Sequence, residues 1–320
     1  MKKLQYRKFG GLEVLELAEV PVPEPAAGEV LVRVRAAAIN PIDWKLRTGQ
    51  LKLLSGWRFP QGQGYEFAGV VERVGRGVTS FAVGQEVFGA GKDCIAEYAI
   101  AKVGRIARKP ATVSFEVAST IAAVGTTAAS AFGGNRVPAG ASVLINGATG
   151  GIGMFATQMA ARRKAEVTAV VSDKGIDLAR RWGASRVINY RHQNVLELGR
   201  EYDVIIELSD RLSYRAAKAI LKPGGTFIAS LPNPAEFVPG FLGNLVSSHR
   251  YALMGMQATS AVLSAVADEV ASGCIDILVS QTFAIDEFRE AYEQTAAGRF
   301  AGKVVFHFSD SHMPSSEATP

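Results

Sequence analysis

The run Val143-Leu-Ile-Asn-Gly-Ala-Thr-Gly-Gly-Ile-Gly153 constrains this chain more than any other segment. An apolar strand enters a glycine-rich turn, and the turn opens an apolar helical stretch from Ile152 to Arg163. Gly147, Gly150 and Gly153 stand three apart, a spacing that permits a tight turn, brings backbone amides close to a pyrophosphate and seats the helix on the strand. The helix N-terminus adds unpaired N–H groups and the positive end of the helix dipole. We therefore read Gly147, Ala148, Thr149, Gly150, Gly151, Ile152 and Gly153 as a cradle for the linked phosphates of a dinucleotide. A purely structural glycine turn is the alternative, and the strand before the turn and the βα repeat after it argue against that.

The repeat extends beyond the loop. Strand patterns at Ser142–Asn146, Glu166–Val171, Arg186–Ile188, Val204–Glu207 and 226–230 alternate with helical patterns at Ile152–Arg163 and 175–182. Such alternation predicts a doubly wound parallel sheet covered by helices on both faces. An Ala-rich helix from 118 to Phe132 precedes it. The first hundred or so residues differ: Leu12–Val20, Glu29–Arg35, Gly69–Val74, Glu86–Phe88 and Glu97–Ala101 read as strands punctuated by Gly/Pro clusters, the pattern of a small β-barrel. The opening residues, with Leu4 and Tyr6 alternating with Gln5 and Arg7, read as an edge strand. A helix near Ala261–Ser272 and strands at Leu278–Phe283 and Lys303–Phe308 are expected to return to the first lobe, and the Pro/Ser-rich stretch 309–320 to be frayed. The fold class is α/β.

Composition narrows the function. No apolar stretch reaches the roughly 20 residues that a bilayer span requires; Val117–Ala131, the longest, is interrupted by Ser, Thr and Gly. The N-terminus lacks the apolar core of a signal peptide, so a cytoplasmic location is expected. Cys94 and Cys274 are the only cysteines, too few for a disulfide framework or a multi-cysteine metal site. The charge of +5 is scattered rather than gathered into a stripe, so no nucleic-acid partner is expected. His192, His249, His307 and His312 show no ligand or triad spacing.

The adenosine end of a dinucleotide is read by the strand after the loop, which ends Val170-Val-Ser-Asp-Lys174. An acid there accepts ribose hydroxyls in NAD sites, whereas hydroxyl and cationic groups suit the 2′-phosphate of NADP. Ser172, Lys174, Tyr190 and Arg191 fit the second case, and Asp173 opposes it only if it points into the pocket. NADPH is the expected cofactor.

Several motifs together resemble the zinc-independent quinone oxidoreductase (zeta-crystallin-like) branch of the medium-chain dehydrogenase/reductase superfamily, over nearly all of residues 1–308. They are Glu19-Val-Pro-Val-Pro-Glu-Pro25, Asn40-Pro-Ile-Asp-Trp-Lys45 with its flanks, Gly64-Tyr-Glu-Phe-Ala-Gly69, Ala96-Glu-Tyr98, Gly125-Thr-Thr-Ala128, the glycine loop, Leu221-Lys-Pro-Gly-Gly225 and Gly302-Lys-Val-Val305. The resemblance implies a GroES-like barrel (1–121, with 262–308 returning to it), a Rossmann NADP(H)-binding domain (122–261), an active cleft at their junction and a flexible tail (309–320). Zinc-dependent relatives have a cysteine where Asn40 stands and a histidine where Tyr65 stands; Glu66 alone cannot hold zinc, so no metal is expected.

By the same resemblance Asn40, Asp43, Lys45 and Tyr65 fall around the reacting carbonyl, with Asn40, Lys45 and Tyr65 as the catalytic candidates. Thr127, Leu208, Gln257 and Lys303 are carried over as cofactor contacts, the strand Leu253–Gln257 passing beside the nicotinamide. Two departures stand out: Glu207-Leu-Ser-Asp210 replaces the usual Asp-x-x-Gly, and Gly91-Lys-Asp-Cys-Ile95 replaces a glycine-rich segment. The implied activity is NADPH-dependent hydride transfer to a small hydrophobic quinone or enone in a homodimer. An enoyl-thioester or alcohol-type reductase, and a cofactor-binding sensor or crystallin-like protein of low turnover, remain open.

Overall fold

The computed structural model describes residues 1–230, 234–244, 247–298 and 300–309. The stretch 310–320, most of the expected frayed tail, lies outside the described residues. The chain divides into two units. One comprises Met1–Ala122, Ala258–Ala267 and the chain from Val279; the other comprises Ala123–Gln257 and Asp268–Leu278.

The first unit opens with eight strands: β1 (Lys2–Tyr6), β2 (Leu15–Glu19), β3 (Glu29–Ala38), β4 (Gln61–Gly62), β5 (Glu66–Val74), β6 (Glu86–Ala90), β7 (Tyr98–Lys102) and β8 (Ile106–Arg108). Its short helix α1 (Pro41–Arg47) follows β3. The second unit contributes β9 (Ser142–Asn146), β10 (Glu166–Val171), β11 (Arg186–Asn189), β12 (Tyr202–Glu207), β13 (Leu221–Ala229) and β14 (Arg250–Leu253). The chain then returns to the first unit as β15 (Val279–Ala284) and β16 (Lys303–His307).

In the first unit the order is β15-β16-β3-β5-β6-β8, with β7 also paired to β3. All these pairs are antiparallel except β15 with β16. Inward residues Val30, Val32, Val34, Phe67 and Phe306 are fully buried and form the core of this GroES-like barrel. The register of β3 against β5 shifts twice, and Gly69 stands opposite Val34 beside one shift. A side chain there has no room: a Cβ on Gly69 would lie 2.1 Å from the Arg33 carbonyl oxygen. β1 is not an edge strand, which corrects the sequence reading; it pairs β2 on one side and β4 on the other. Its polar positions are satisfied laterally, Gln5 donating to Glu16 at 2.8 Å and the Tyr6 hydroxyl to Gln61 at 2.6 Å.

The second unit is a six-stranded sheet in the order β11-β10-β9-β12-β13-β14 with every pair parallel. This is the doubly wound Rossmann arrangement, with the order reversing at β9. Two expectations change in detail. The Ala-rich stretch is not one helix but Phe115–Ala118, a wide turn at Ile121–Gly125, and Thr126–Ala131. At the break the hydroxyls of Ser119 and Thr120 donate to the carbonyls of Glu116 and Val117, each at 2.8 Å, competing with the helical ladder. The strand expected over Leu253–Gln257 ends at Leu253. Among the described residues no helix is long and apolar enough to cross a membrane.

The crowding at Gly69 generates a stability prediction. Gly69→Ala should lower the unfolding free energy by roughly 1–3 kcal/mol through overpacking, whereas Gly104→Ala, with nothing within 4 Å of a new Cβ, should shift the urea midpoint little.

Candidate functional site

The turn after β9 is made of backbone. Gly147 has φ +91°, a left-handed value glycine adopts without penalty. The amides of Gly147 and Ala148 both donate to the Val170 carbonyl on β10, at 3.1 and 3.3 Å, and the amide of Gly150 closes onto Gly147 O at 3.1 Å. Thr149 and Gly150 complete the turn, and the helix Gly151–Arg162 begins there, burying Gly153 through Ala160 along its length. A Cβ on Gly153 would lie 2.2 Å from Gly147 O and 2.6 Å from Ala148 C, so helix and turn touch backbone to backbone. The first-turn N–H groups of Gly151, Ile152 and Gly153 are thus fixed at the carboxyl end of β9, where a pyrophosphate is bound in such sheets.

β12 ends beside this turn. Leu208 donates its amide to Asn146 O at 3.0 Å, and a Cβ on Gly147 would stand 3.3 Å from its own Cβ. Glu207, which sequence reasoning did not select, is 5% exposed and organises the bend: one oxygen accepts from Asn146 Nδ2 at 2.7 Å, and the other from the amide and hydroxyl of Ser209 at 2.8 and 2.7 Å and from the Arg211 amide at 3.3 Å. Asp210 takes φ +58°, a conformation that aspartate tolerates better than most residues. The signals for Glu207 in the sequence were its place at the end of a buried strand and the departure of Glu207-Leu-Ser-Asp210 from Asp-x-x-Gly.

The bend presents Arg211 to a groove of ≈ 640 Å³ whose lining includes Gly147, Thr149, Ser172, Tyr190, Arg191 and Arg211. The Arg211 guanidinium lies 6.0 Å from the centre of the half-exposed Tyr190 ring. Asp173 does not line the groove. Its carboxylate accepts from Asn189 Nδ2 at 2.6 Å and stands 3.3 Å from His192 Nε2 and 3.4 Å from Arg191 Nη1. The Asn189 bond, aided by His192 and Arg191, holds its pKa below the ordinary value. Lys174 is exposed on the neighbouring turn and does not line the groove either. Thr127 is buried with its hydroxyl donating to Ala123 O at 2.6 Å, and the exposed Gln257 donates its backbone N–H to Thr126 Oγ1 at 3.2 Å.

In the first unit Asn40, the residue before α1, is 3% exposed. Its amide nitrogen Nδ2 donates to Glu66 Oε1 at 2.9 Å, and its Oδ1 accepts from Lys303 Nζ at 2.6 Å. Lys303 Nζ also donates to Ile39 O at 2.8 Å and to Glu66 Oε1 at 3.0 Å. With side-chain exposures of 3% and 0%, Lys303 and Glu66 form a buried ion pair inside this unit. Asp43 Oδ2 accepts the Asn40 backbone N–H at 2.8 Å and so caps α1. Burial raises the Asp43 carboxyl to about 7, the backbone N–H of Asn40 and the Lys303 ammonium pulling it down and Glu66 pushing it up. Lys45 and Tyr65 are both partly buried, one on α1 and one just before β5. Burial, with Asp43 nearby, holds the Tyr65 phenol well above its ordinary pKa. Its carbonyl accepts from Gly91, which opens the loop in which Asp93 takes φ +59°.

Comparison with known proteins agrees with this geometry. Residues 26–99 match the alcohol dehydrogenase GroES-like domain family, and residues 182–306 match the zinc-binding dehydrogenase family. A quinone oxidoreductase of Pseudomonas aeruginosa is 31% identical over 324 residues, covering 95% of this chain and 98% of its own length. The chain belongs to the quinone oxidoreductase branch of the medium-chain dehydrogenase/reductase superfamily. An NADPH-dependent alkenal/one oxidoreductase from the chloroplast of Arabidopsis thaliana is 32% identical over 254 residues, 75% of this chain and 64% of the relative. The solved quinone oxidoreductase of Coxiella burnetii superposes with a TM-score of 0.88 at 28% identity, covering 97% of this chain and 99% of that one.

Zinc is implied by the name of the second matching family, and the residues of this quinone oxidoreductase relative do not fit it. Both ends of the Asn40 amide are engaged, Glu66 already faces an ammonium, and Tyr65 is held as a neutral phenol. Among the described residues no group of three or more His, Cys, Asp or Glu stands where it could hold a metal ion.

Two predictions follow from these contacts. Gly153→Ala must displace backbone, and should weaken binding of the reduced nicotinamide dinucleotide at least tenfold when followed by nicotinamide fluorescence. Lys303→Met leaves Glu66 buried without a countercharge and should cost about 3–5 kcal/mol in a denaturant titration, with most of the loss recovered in Glu66→Gln/Lys303→Met.

Proposed function

We propose that this oxidoreductase is an NADPH-dependent reductase that works without zinc and delivers hydride to a quinone or an α,β-unsaturated carbonyl. The observation that carries the cofactor choice is the placement of charge at the adenosine end. Asp173, the acid next to Ser172, is bound by Asn189, Arg191 and His192 and does not line the groove; the acid that does line it, Glu197, accepts from Asn194 Nδ2 at 2.8 Å. Against the Glu197 carboxylate the groove sets the two guanidinium groups of Arg191 and Arg211, with Ser172 and Tyr190 beside them. Guanidinium groups bind phosphate through charge-assisted, often bidentate hydrogen bonds, so this set favours the phosphorylated cofactor. The Pseudomonas and Arabidopsis relatives, named for quinone and alkenal/one reduction, support the acceptor class.

When bound, the reduced nicotinamide supplies the hydride. The chain must then stabilise negative charge on the acceptor oxygen, a task for hydrogen-bond donors where no metal does it. Lys45 offers an ammonium. Tyr65, kept protonated by burial, offers an O–H donor that does not ionise near neutrality. Asn40 serves differently: with both ends of its side-chain amide committed, to Glu66 and to Lys303, it fixes the start of α1.

The test is consumption of NADPH, followed by its near-ultraviolet absorbance, with a panel of quinones, 2-alkenals and enones. Lys45→Ala should reduce kcat by about tenfold or more, the scale of a lost charge-assisted hydrogen bond. Arg211→Ala should raise KM for NADPH by about tenfold while leaving that for NADH nearly unchanged. Cofactor binding without oxidation by any acceptor would favour a sensor, and a lower KM for NADH than for NADPH would overturn the cofactor assignment.

A further inference from the structure

The first unit contains a charged group that the reading above does not use. Asp43 is fully buried, and only one of its carboxylate oxygens is bonded, Oδ2 to the Asn40 backbone N–H at 2.8 Å; Oδ1 is buried with no hydrogen-bond partner among the described residues. One turn along α1, Arg47 is 4% exposed, its Nε and Nη1 are likewise without a hydrogen-bond partner, and its guanidinium lies 5.5 Å from the centre of the Tyr292 ring. The groups acting on Asp43 come from every side. Lys303 from β16 and Arg47 from α1 are positive, Glu66 from β5 is negative, the Gly64 backbone N–H before β5 favours the anion, and Tyr6, Tyr65, Tyr292 and Cys94 present phenols and a thiol held neutral by burial.

We propose that Asp43 is a proton-linked positioning residue: its bond to the Asn40 amide fastens the start of α1, and the ionisation of this one carboxyl changes how firmly the helix presents Lys45. The inference rests on the reading of Lys45 as a donor to the acceptor oxygen.

The physical basis is the asymmetry of the carboxyl. Ionised, Asp43 makes a charge-assisted cap, which is shorter and stronger than a neutral one, but it leaves a bare anionic oxygen in a desolvated site. Protonated at Oδ1, it removes that cost and weakens the cap. Two opposing penalties of this kind bring the titration toward neutrality, in line with a carboxyl raised to about 7. Lys303 favours the anion and Glu66 opposes it, so the internal ion pair sets the balance. Low pH therefore gives the neutral, loosely capped helix and high pH the ionised, tightly capped one. Removing the negative charge of Glu66 makes ionisation easier and moves the transition to lower pH.

Carbon-13 NMR of protein labelled at aspartate carboxyls tests this without turnover. One resonance should titrate near neutrality in the unmodified protein and vanish in Asp43→Asn, and the Lys45 amide resonance should follow the same transition only when Asp43 is present. In Glu66→Gln both should move to lower pH by on the order of one unit. In steady-state assays kcat should rise with pH through the same transition, and this limb should be absent in Asp43→Asn, which retains an oxygen able to accept from the Asn40 amide, while NADPH affinity is unmoved. If no acceptor is reduced, the functional reading fails and the NMR arm still decides. If the variants fail to fold, the unmodified protein's own titration decides. Aspartate carboxyls that all titrate in the ordinary acidic range, or a kcat limb that persists in Asp43→Asn, would overturn the proposal.

Discussion

The contact between Gly153 and the carbonyl of Gly147 is the constraint from which the cofactor unit is built. A Cβ at residue 153 would fall 2.2 Å from that oxygen, so the helix can approach the turn only with hydrogen in that place. Close approach aims the first-turn amides at the end of β9, and β9 sits where the strand order reverses. The sheet thus places these backbone donors where neighbouring connections diverge to either side. Glu207 extends the same logic to β12: a single buried carboxylate gathers Asn146, Ser209 and the Arg211 amide, and the bend so formed carries Arg211 to the groove.

The barrel unit handles polarity in the opposite way. Its buried charges are neutralised from within, Lys303 against Glu66 and Asn40. A buried pair of this kind contributes little net stability, because desolvation offsets attraction, yet breaking it is costly. Its consequence is positional. The pair engages both ends of the Asn40 side chain and so fixes the junction between β3 and α1. Asp43 Oδ1, like Arg47 Nε and Nη1 on the same helix, stands outside this internal satisfaction, and the start of α1 is therefore sensitive to the ionisation of one carboxyl.

Much of this was legible in the sequence. The period-2 and βα patterns located most strands of both units, though not β4, β8 or β14, and the glycine spacing located the turn after β9, because these signals are local. What escaped depends on neighbours. Gln5 looked like the solvent side of an edge strand, but its partner Glu16 comes from β2. Ser119 and Thr120 broke an Ala-rich stretch by bonding back to their own chain, where apolar composition had suggested a continuous helix. Arg211 was invisible because its relevance depends on a bend organised by Glu207. Asp93 and Asp210 read as departures from glycine-rich patterns, and the structure gives both left-handed backbone, with φ +59° and +58°. Lys303 was carried over as a cofactor contact, and only packing reveals that three oxygens of its own unit surround it.

The central claim is that the amides of residues 147–153 receive the linked phosphates of a nicotinamide dinucleotide. Hydrogen–deuterium exchange of this segment, compared with and without NADPH, tests it most directly. The account predicts slowed exchange confined to the glycine turn, the first turn of the following helix and the groove around Tyr190 and Arg211. Unchanged exchange across residues 147–153 at saturating NADPH would contradict it.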